Sequence, residues 1–235
     1  MEPNRIVSRD EWLAARTALL DEEKKLTAMK DELAAKRRTL PWVRVEKPYV
    51  FTGPDGEESL SDLFGGHSQL IVYHFMFGPG WEQGCKSCSF LSDHIDATLP
   101  HLAARDVSFV VVSRAPLEEF LPFRERMGWR FKWVSSSGSD FNFDHHVSFG
   151  SQEVEEGGNV YNYETHAAMS EEMPGASVFV RNDAGEVFHT YSCYARGLDG
   201  LIGTYAYLDL VPKGRDEADL DFTMAWVRHH DSYGT

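Results

Sequence analysis

A chain of 235 residues, 42% of them hydrophobic, carries enough apolar material for one substantial core, and it is long for a single small α/β domain, so extensions or insertions are expected. A formal net charge of −14 argues against a nucleic-acid partner, because neutralising phosphates needs clustered Lys and Arg. No apolar run approaches the ~20 residues of a membrane-spanning helix, and the polar, then charged, opening segment does not read as a secretion leader, so no membrane partner and a cytoplasmic location are expected.

Residues 1–42 read as an N-terminal helical extension. Ser8 and Glu11 have the spacing of a capping box, and Pro41 ends the pattern. Trp12, Leu19, Leu26, Leu33 and Leu40 recur every seven residues, but the companion positions Ala15, Glu22, Met29 and Lys36 are mixed, which is weak for a free coiled coil. The stripe therefore docks either on the chain's own domain or on a second subunit. A thirty-residue helix spans ~45 Å, more than one small α/β face covers, which favours a homodimer.

From residue 43 the pattern changes to strands and turns, and a domain is expected over 43–211 with an insertion at about 138–173 and a tail at 212–235 that packs on it. Tyr49-Val50-Phe51 and Glu58-Ser59-Leu60 flank the turn Gly53-Pro54-Asp55-Gly56, a hairpin signal. The apolar strand Leu70 to Phe77 follows, then Gly78, Pro79, Gly80 and Gly84 break it. A helix from about Cys88 to Leu102 places Phe90, Leu91, Ile95, Leu99 and Leu102 on one face, and Val107 to Ser113 is a β-branched strand of the kind buried in parallel sheets. The next helix opens at Ala115-Pro116 and closes near Met127-Gly128, with a kink or break expected at Pro122. Phe131 to Ser135 reads as a third parallel strand and Val160 to Tyr163 as a short strand within the insertion. Residues 176–180 and 187–191 alternate around Asn182-Asp183-Ala184-Gly185 as an antiparallel hairpin, and Leu198 to Leu210 is the closing helix.

The chemistry concentrates in Trp81-Glu82-Gln83-Gly84-Cys85-Lys86-Ser87-Cys88, where two cysteines stand three positions apart between strand and helix. A cysteine just ahead of a helix start faces unpaired backbone N–H groups and the positive end of the helix dipole, which stabilise a thiolate. Cys85 is thus the expected nucleophile, and Cys88, one turn inside, is placed to resolve a mixed disulfide. Two cysteines in a Cys-x-x-Cys and one elsewhere fit a reducing compartment in which the pair cycles. A zinc site would need four ligands, and the remaining cysteine, Cys193, brings no second Cys-x-x-Cys, although histidines could complete one. An inert buried pair is the other alternative. His145-His146 and His229-His230 are adjacent pairs whose members point in different directions, and whether His189 meets His166 or His145 is not readable. No metal and no cofactor are expected.

A hairpin, a βαβ unit with Cys-x-x-Cys at its first helix start, a further αβ, a proline, a hairpin and a last helix is the order of a thioredoxin-like fold, a central mixed sheet flanked by helices. The chain also resembles the thioredoxin-like DUF899 family of predicted dithiol-disulfide oxidoreductases. The resemblance rests on Tyr73 to Gly78, Cys88-Ser89-Phe90, Val112-Ser113-Arg114-Ala115-Pro116, Arg126-Met127-Gly128-Trp129, Gly138 to Asn142, Tyr194 to Asp199 and Ala225 to Asp231, and runs over nearly the whole chain. It implies a thiol–disulfide oxidoreductase acting on a disulfide or thiol substrate, restored by an unidentified thiol reductant.

Similarity to thioredoxins proper is more distant. Trp81 lies four residues before Cys85 and would form part of the groove rim; Pro174 precedes a strand as the cis-proline of thioredoxin-like proteins does; His74 is the nearest equivalent of their buried carboxylate, or a plain strand histidine. A peroxiredoxin-like thiol peroxidase is the alternative enzyme. The positions three and seven before Cys85 hold Glu82 and Gly78 where that family has Thr and Pro, yet Arg114 or Arg196 could supply a cation to the thiolate. A non-catalytic binding module acting through the N-terminal helix is the third reading.

Overall fold

The computed structural model describes residues 4–166 and 170–234. The chain divides into two compact units, Met1–Pro41 and Trp42–Thr235.

The first unit is one helix, α1 (Arg9–Arg38). The Ser8 hydroxyl accepts the Glu11 N–H at 3.2 Å and the Glu11 carboxylate accepts the Ser8 N–H at 3.0 Å, so the expected capping box forms. Lys36, Arg37 and Arg38 occupy the last turn, where cations suit the carbonyl end of the helix. None of its residues is buried.

The second unit is built on an eight-stranded sheet of β1 (Val43–Arg44), β2 (Val50–Gly53), β3 (Gly56–Ser59), β4 (Gln69–His74), β5 (Val107–Ser113), β6 (Lys132–Ser135), β9 (Gly175–Arg181) and β10 (Val187–Tyr194), in the order β1-β10-β9-β4-β5-β6-β2-β3. Between β4 and β5 lie α2 (Lys86–Ser92) and α3 (Leu99–Ala103); α4 (Leu117–Arg126) joins β5 to β6. The insertion holds α5 (Phe141–Asp144), α6 (Ser151–Glu156) and a separate two-stranded ribbon of β7 (Asn159–Tyr161) and β8 (Glu164–His166); α7 (Gly203–Leu208) follows β10. β4 runs parallel to β5 and antiparallel to β9, and β5 runs parallel to β6. The chain thus has a thioredoxin-like fold, a mixed sheet flanked by helices with the cysteines following the central strand.

Alternation along β4 divides the core. Leu70, Val72 and His74 face one layer with Val110, Val112, Val134, Phe141 and Phe179. Tyr73, with Phe75 and Phe77 beyond the strand end, faces the other, an aromatic cluster of Phe120, Phe123, Trp129 and Trp133 in which Phe120 and Trp133 stack at 4.6 Å. Such ring pairs add ~0.5–1.5 kcal/mol each beyond the area they bury.

Two expected helices are broken. The Cys88–Leu102 pattern splits into α2 and α3 because Asp93 and Asp96 serve remote partners: Asp93 accepts the Trp129 indole N–H at 2.9 Å, and Asp96 accepts the backbone N–H groups of Arg130 and Phe131, both at 2.8 Å. Pro100 then suits the first turn of α3. The closing helix becomes a 3-10 stretch, Ala195–Leu201, and then α7, with Ile202 extended between them and the His94 imidazole accepting the Thr204 N–H. α4 begins after Pro116, which caps it, and runs through Pro122 without a break. The hairpin 53–56, the run Val107–Ser113 and the hairpin 182–185 stand where expected. Among the described residues no helix is long and apolar enough to cross a membrane.

Candidate active site

The loop that carries the cysteines is fixed by packing at a glycine. A Cβ on Gly84 would lie 2.6 Å from Cε1 of Phe75 and 2.8 Å from Cε1 of Phe123, so only glycine lets the chain pass this close to the aromatic cluster. The Gly84 carbonyl accepts from His229 Nε2 at 3.0 Å, which ties the C-terminal tail to the loop and fixes that imidazole's tautomer. The Cys85 N–H then donates back to the Met76 carbonyl at 3.2 Å, and Cys85 becomes the residue before the first turn of α2.

Both cysteines are thiols in the structure. Cys85 is half-buried and Cys88 is buried. The hydrogen bond from the Cys88 thiol does most to lower the Cys85 pKa; burial opposes it, while the backbone N–H groups of Cys88 and Ser87 and the Ser87 hydroxyl reinforce it. The result is a thiol brought down to about 7. Burial pushes Cys88 the other way, well above its ordinary value, and the neighbouring Cys85 adds to that; the Tyr73 hydroxyl and the Met76 N–H, 3.5 Å from its sulfur, partly oppose it. The pair thus has one sulfur poised to lose its proton near neutrality and one that keeps it, the division of labour a nucleophile and a resolving thiol need.

A cavity of about 1110 Å³ opens beside the two cysteines. Tyr73, Pro174, Leu198 and Ile202 are among its walls. Its charged groups already have partners: Arg215 pairs with Asp199 at 2.9 Å and Asp209 at 2.8 Å, and Glu217 accepts from the Tyr205 hydroxyl at 2.9 Å and the Trp226 indole at 2.6 Å. What remains near the sulfurs is largely apolar.

Of the residues singled out from sequence, Pro174 lines this cavity with the cysteines. Its peptide bond is trans, so the expected cis-proline geometry is absent; the Pro174 carbonyl instead accepts the Tyr161 hydroxyl at 2.7 Å. Tyr161 also accepts the Ala195 N–H at 3.0 Å and so holds the insertion ribbon against the cavity wall. Trp81 does not line the cavity; it packs over Gly78, where an added Cβ would meet its Nε1 at 3.0 Å. Arg114 is also outside the cavity, bound through Nε to the buried Glu172 and through Nη2 to Glu171 at 3.2 Å. Arg196 lines it but pairs with Asp199 at 3.3 Å. Cys193, opposite Ala176 on β10, packs on the same core layer as Tyr73 and is not a cavity residue.

His74 lies on the other face of the sheet from the cysteines, so it does not stand where a buried carboxylate would serve them. Its Nε2 meets the Ser177 hydroxyl at 2.9 Å; His145 Nδ1 lies 3.3 Å from the same hydroxyl, and His189 Nε2 meets the Ser192 hydroxyl at 2.8 Å. The rings of His145 and His189 are 5.2 Å apart. Burial pushes His74 down to about 3 and lowers His145 and His189 as well, so this cluster is neutral at pH 7. The side chain of His166 lies outside the described residues. Among the described residues no group of His, Cys, Asp or Glu is placed to hold a metal ion.

Tyr73, Ser87 and Tyr161 were not singled out from sequence. Tyr73 carried a usable signal: it shares the parity of Phe75 and Phe77 along the strand, opposite to His74. Ser87 and Tyr161 carried none.

The family model described as a bacterial protein of unknown function (DUF899) matches residues 1–233. No curated protein matches the chain. Among solved structures, the peroxidoxin BcpB from Mycobacterium tuberculosis is similar at 13% identity over 71% of this chain and 94% of that one, with a TM-score of 0.46. A PrxQ variant from Xylella fastidiosa is similar at 10% identity over 72% and 96%, TM-score 0.45. A putative thiol:disulfide interchange protein DsbE from Chlorobium tepidum is similar at 13% identity over 71% and 98%, TM-score 0.42. Likenesses this distant leave the activity to be argued from the chain's own geometry.

Proposed function

The chain belongs to the DUF899 family, whose description assigns no function, and we propose from its dithiol that it is a thiol–disulfide oxidoreductase in which Cys85 attacks and Cys88 resolves. The observation that carries this reading is the opposed pair of pKa shifts on two cysteines that line one cavity. The Cys85 thiolate attacks one sulfur of a disulfide R–S–S–R, forming Cys85–S–S–R and releasing the other half as a thiolate that takes up a proton. Cys88 loses its proton and attacks the Cys85 sulfur, releasing the second thiol and leaving a Cys85–Cys88 disulfide. Two electrons have moved from the protein to the substrate, and a thiol reductant returns them by the reverse exchange.

Tyr73, hydrogen-bonded to Cys88, is the side chain positioned to steady that sulfur as its proton leaves. The apolar walls suit a substrate whose disulfide sits in a carbon-rich body, since charged groups there would lose water without gaining a free partner. The peroxidase alternative wants a cation beside the thiolate; Arg114 and Arg196 are both held by carboxylates. Cys88→Ser should stall the reaction at the first exchange. With 4,4′-dithiodipyridine that variant is expected to retain one pyridylthio group on Cys85, whereas the native protein releases both halves; a native protein that also stops at one would remove Cys88 from the resolving role.

A further inference from the structure

The helix α1 presents a problem of its own, independent of the dithiol. Trp12, Leu13, Leu19, Leu20, Leu26, Met29 and Leu33 on the helix, and Leu40 just beyond its end, are between 38% and 65% exposed, and all but Leu13, Leu20 and Met29 fall on one seven-residue repeat. Large apolar groups repeated along one line of a helix make an interaction surface, which singly scattered ones do not.

The charges beside the stripe say what fits it. Residues 9–23 carry five acids, Asp10, Glu11, Asp21, Glu22 and Glu23, against two bases, Arg9 and Arg16. Residues 24–38 reverse this, with six bases, Lys24, Lys25, Lys30, Lys36, Arg37 and Arg38, against two acids, Asp31 and Glu32. One half is therefore net −3 and the other net +4, from 2 − 5 and 6 − 2. A helix divided in this way is complementary to itself run in the opposite direction, and only in that direction. A parallel copy would set the net-negative half on the net-negative half and the net-positive half on the net-positive half.

We propose that α1 is the dimerisation element of this protein, pairing antiparallel across a two-fold axis with α1 of a second copy. The apolar stripes meet in the seam, and each acidic half lies along the partner's basic half. The same patch is used twice, as two-fold symmetry requires, and opposite charges on facing helices fix orientation as they do in coiled coils.

Light scattering on the full chain is expected to give twice the chain mass at micromolar concentration, and Leu19→Glu with Leu26→Glu, two exposed positions of α1, is expected to give a monomer. Orientation is read by cross-linking. In a background of Cys85→Ser, Cys88→Ser and Cys193→Ser, Ala15 and Ala34, which flank the stripe and are not buried, are changed separately to Cys and the two proteins mixed with a short bis-maleimide. They are 19 positions apart, ~28 Å along one helix. Joined peptides of 15 with 34 are expected; joined 15 with 15 would mean a parallel pair, and a monomeric native chain, or a dimer that survives the double Glu variant, would overturn the proposal. Raising salt is expected to weaken the dimer, because the flanking charges are exposed.

Discussion

Arg114→Met separates a structural arginine from one that serves the thiolate. Glu172, whose side chain is 2% exposed, accepts from Arg114 Nε and from the Ser148 hydroxyl at 2.7 Å. Removing the guanidinium leaves a buried carboxylate with the hydroxyl alone, and breaking a buried pair from one side costs ~3–5 kcal/mol. The second arm of Arg114 goes to Glu171, which is 45% exposed, and adds at most ~1 kcal/mol. For a domain of this size the loss corresponds to a Tm lowered by roughly 6–24 °C. The penalty should depend on pH. Burial already raises the Glu172 pKa, and without Arg114 it rises further. A carboxyl whose folded-state value exceeds its unfolded value contributes stability below the unfolded value and loses it as pH rises through the folded one, so the variant should be relatively worse at pH 8 than at pH 5. Adding Glu172→Gln should restore much of the loss, since no charge is then left buried. The assays are thermal unfolding at both pH values and the alkylation rate of Cys85. Stability should fall while the Cys85 rate holds. An unchanged Tm with slower alkylation would mean that Arg114 acts on the thiolate and that the ion pair is incidental.

Three further outcomes follow from other groups. Alkylation of Cys85 should reach half its maximal rate near pH 7, and Cys88→Ala, which removes the strongest hydrogen bond to its sulfur, should move that midpoint upward; a native midpoint at the ordinary thiol value would contradict the site's electrostatics. His74, pushed down to about 3 by burial, favours the folded state fully above its unfolded value of ~6.5 and progressively less as pH falls, amounting to about 2 kcal/mol lost at pH 5; urea unfolding at pH 5 and 7.5 should show a smaller pH dependence in His74→Asn, and an equal one would place the titration elsewhere. Cys193→Ser should leave oxidation of the pair unchanged, because Cys193 is not among the cavity residues, and loss of disulfide formation in that variant would bring it into the chemistry.

Local signals predicted what local forces decide. The Ser8–Glu11 box, the β-branched run Val107–Ser113 and the turns at 53–56 and 182–185 all formed because each depends on residues within one turn or one strand. The helix expected from Cys88 to Leu102 did not, because Asp93 and Asp96 are drawn to the indole of Trp129 and the backbone at 130–131, more than thirty positions away. Arg114 and Glu172 are separated by 58 positions and a whole insertion, so nothing near Arg114 announced its partner. Strand parity could have placed His74 with Leu70 and Val72 and away from Phe75, but which face the cysteines cover depends on how α2 folds back over the sheet. The dithiol itself was legible because two thiols three positions apart at a helix start carry their geometry with them.

Mass mapping of the disulfide state after mild oxidation tests the central claim most directly. Treated with a small excess of diamide and digested without reduction, the protein should yield a peptide with Cys85 joined to Cys88, and dithiothreitol should return both thiols with Cys193 unchanged. Two thiols that stay reduced, or a Cys85 that goes on to sulfinic acid without ever joining Cys88, would contradict a cycling dithiol.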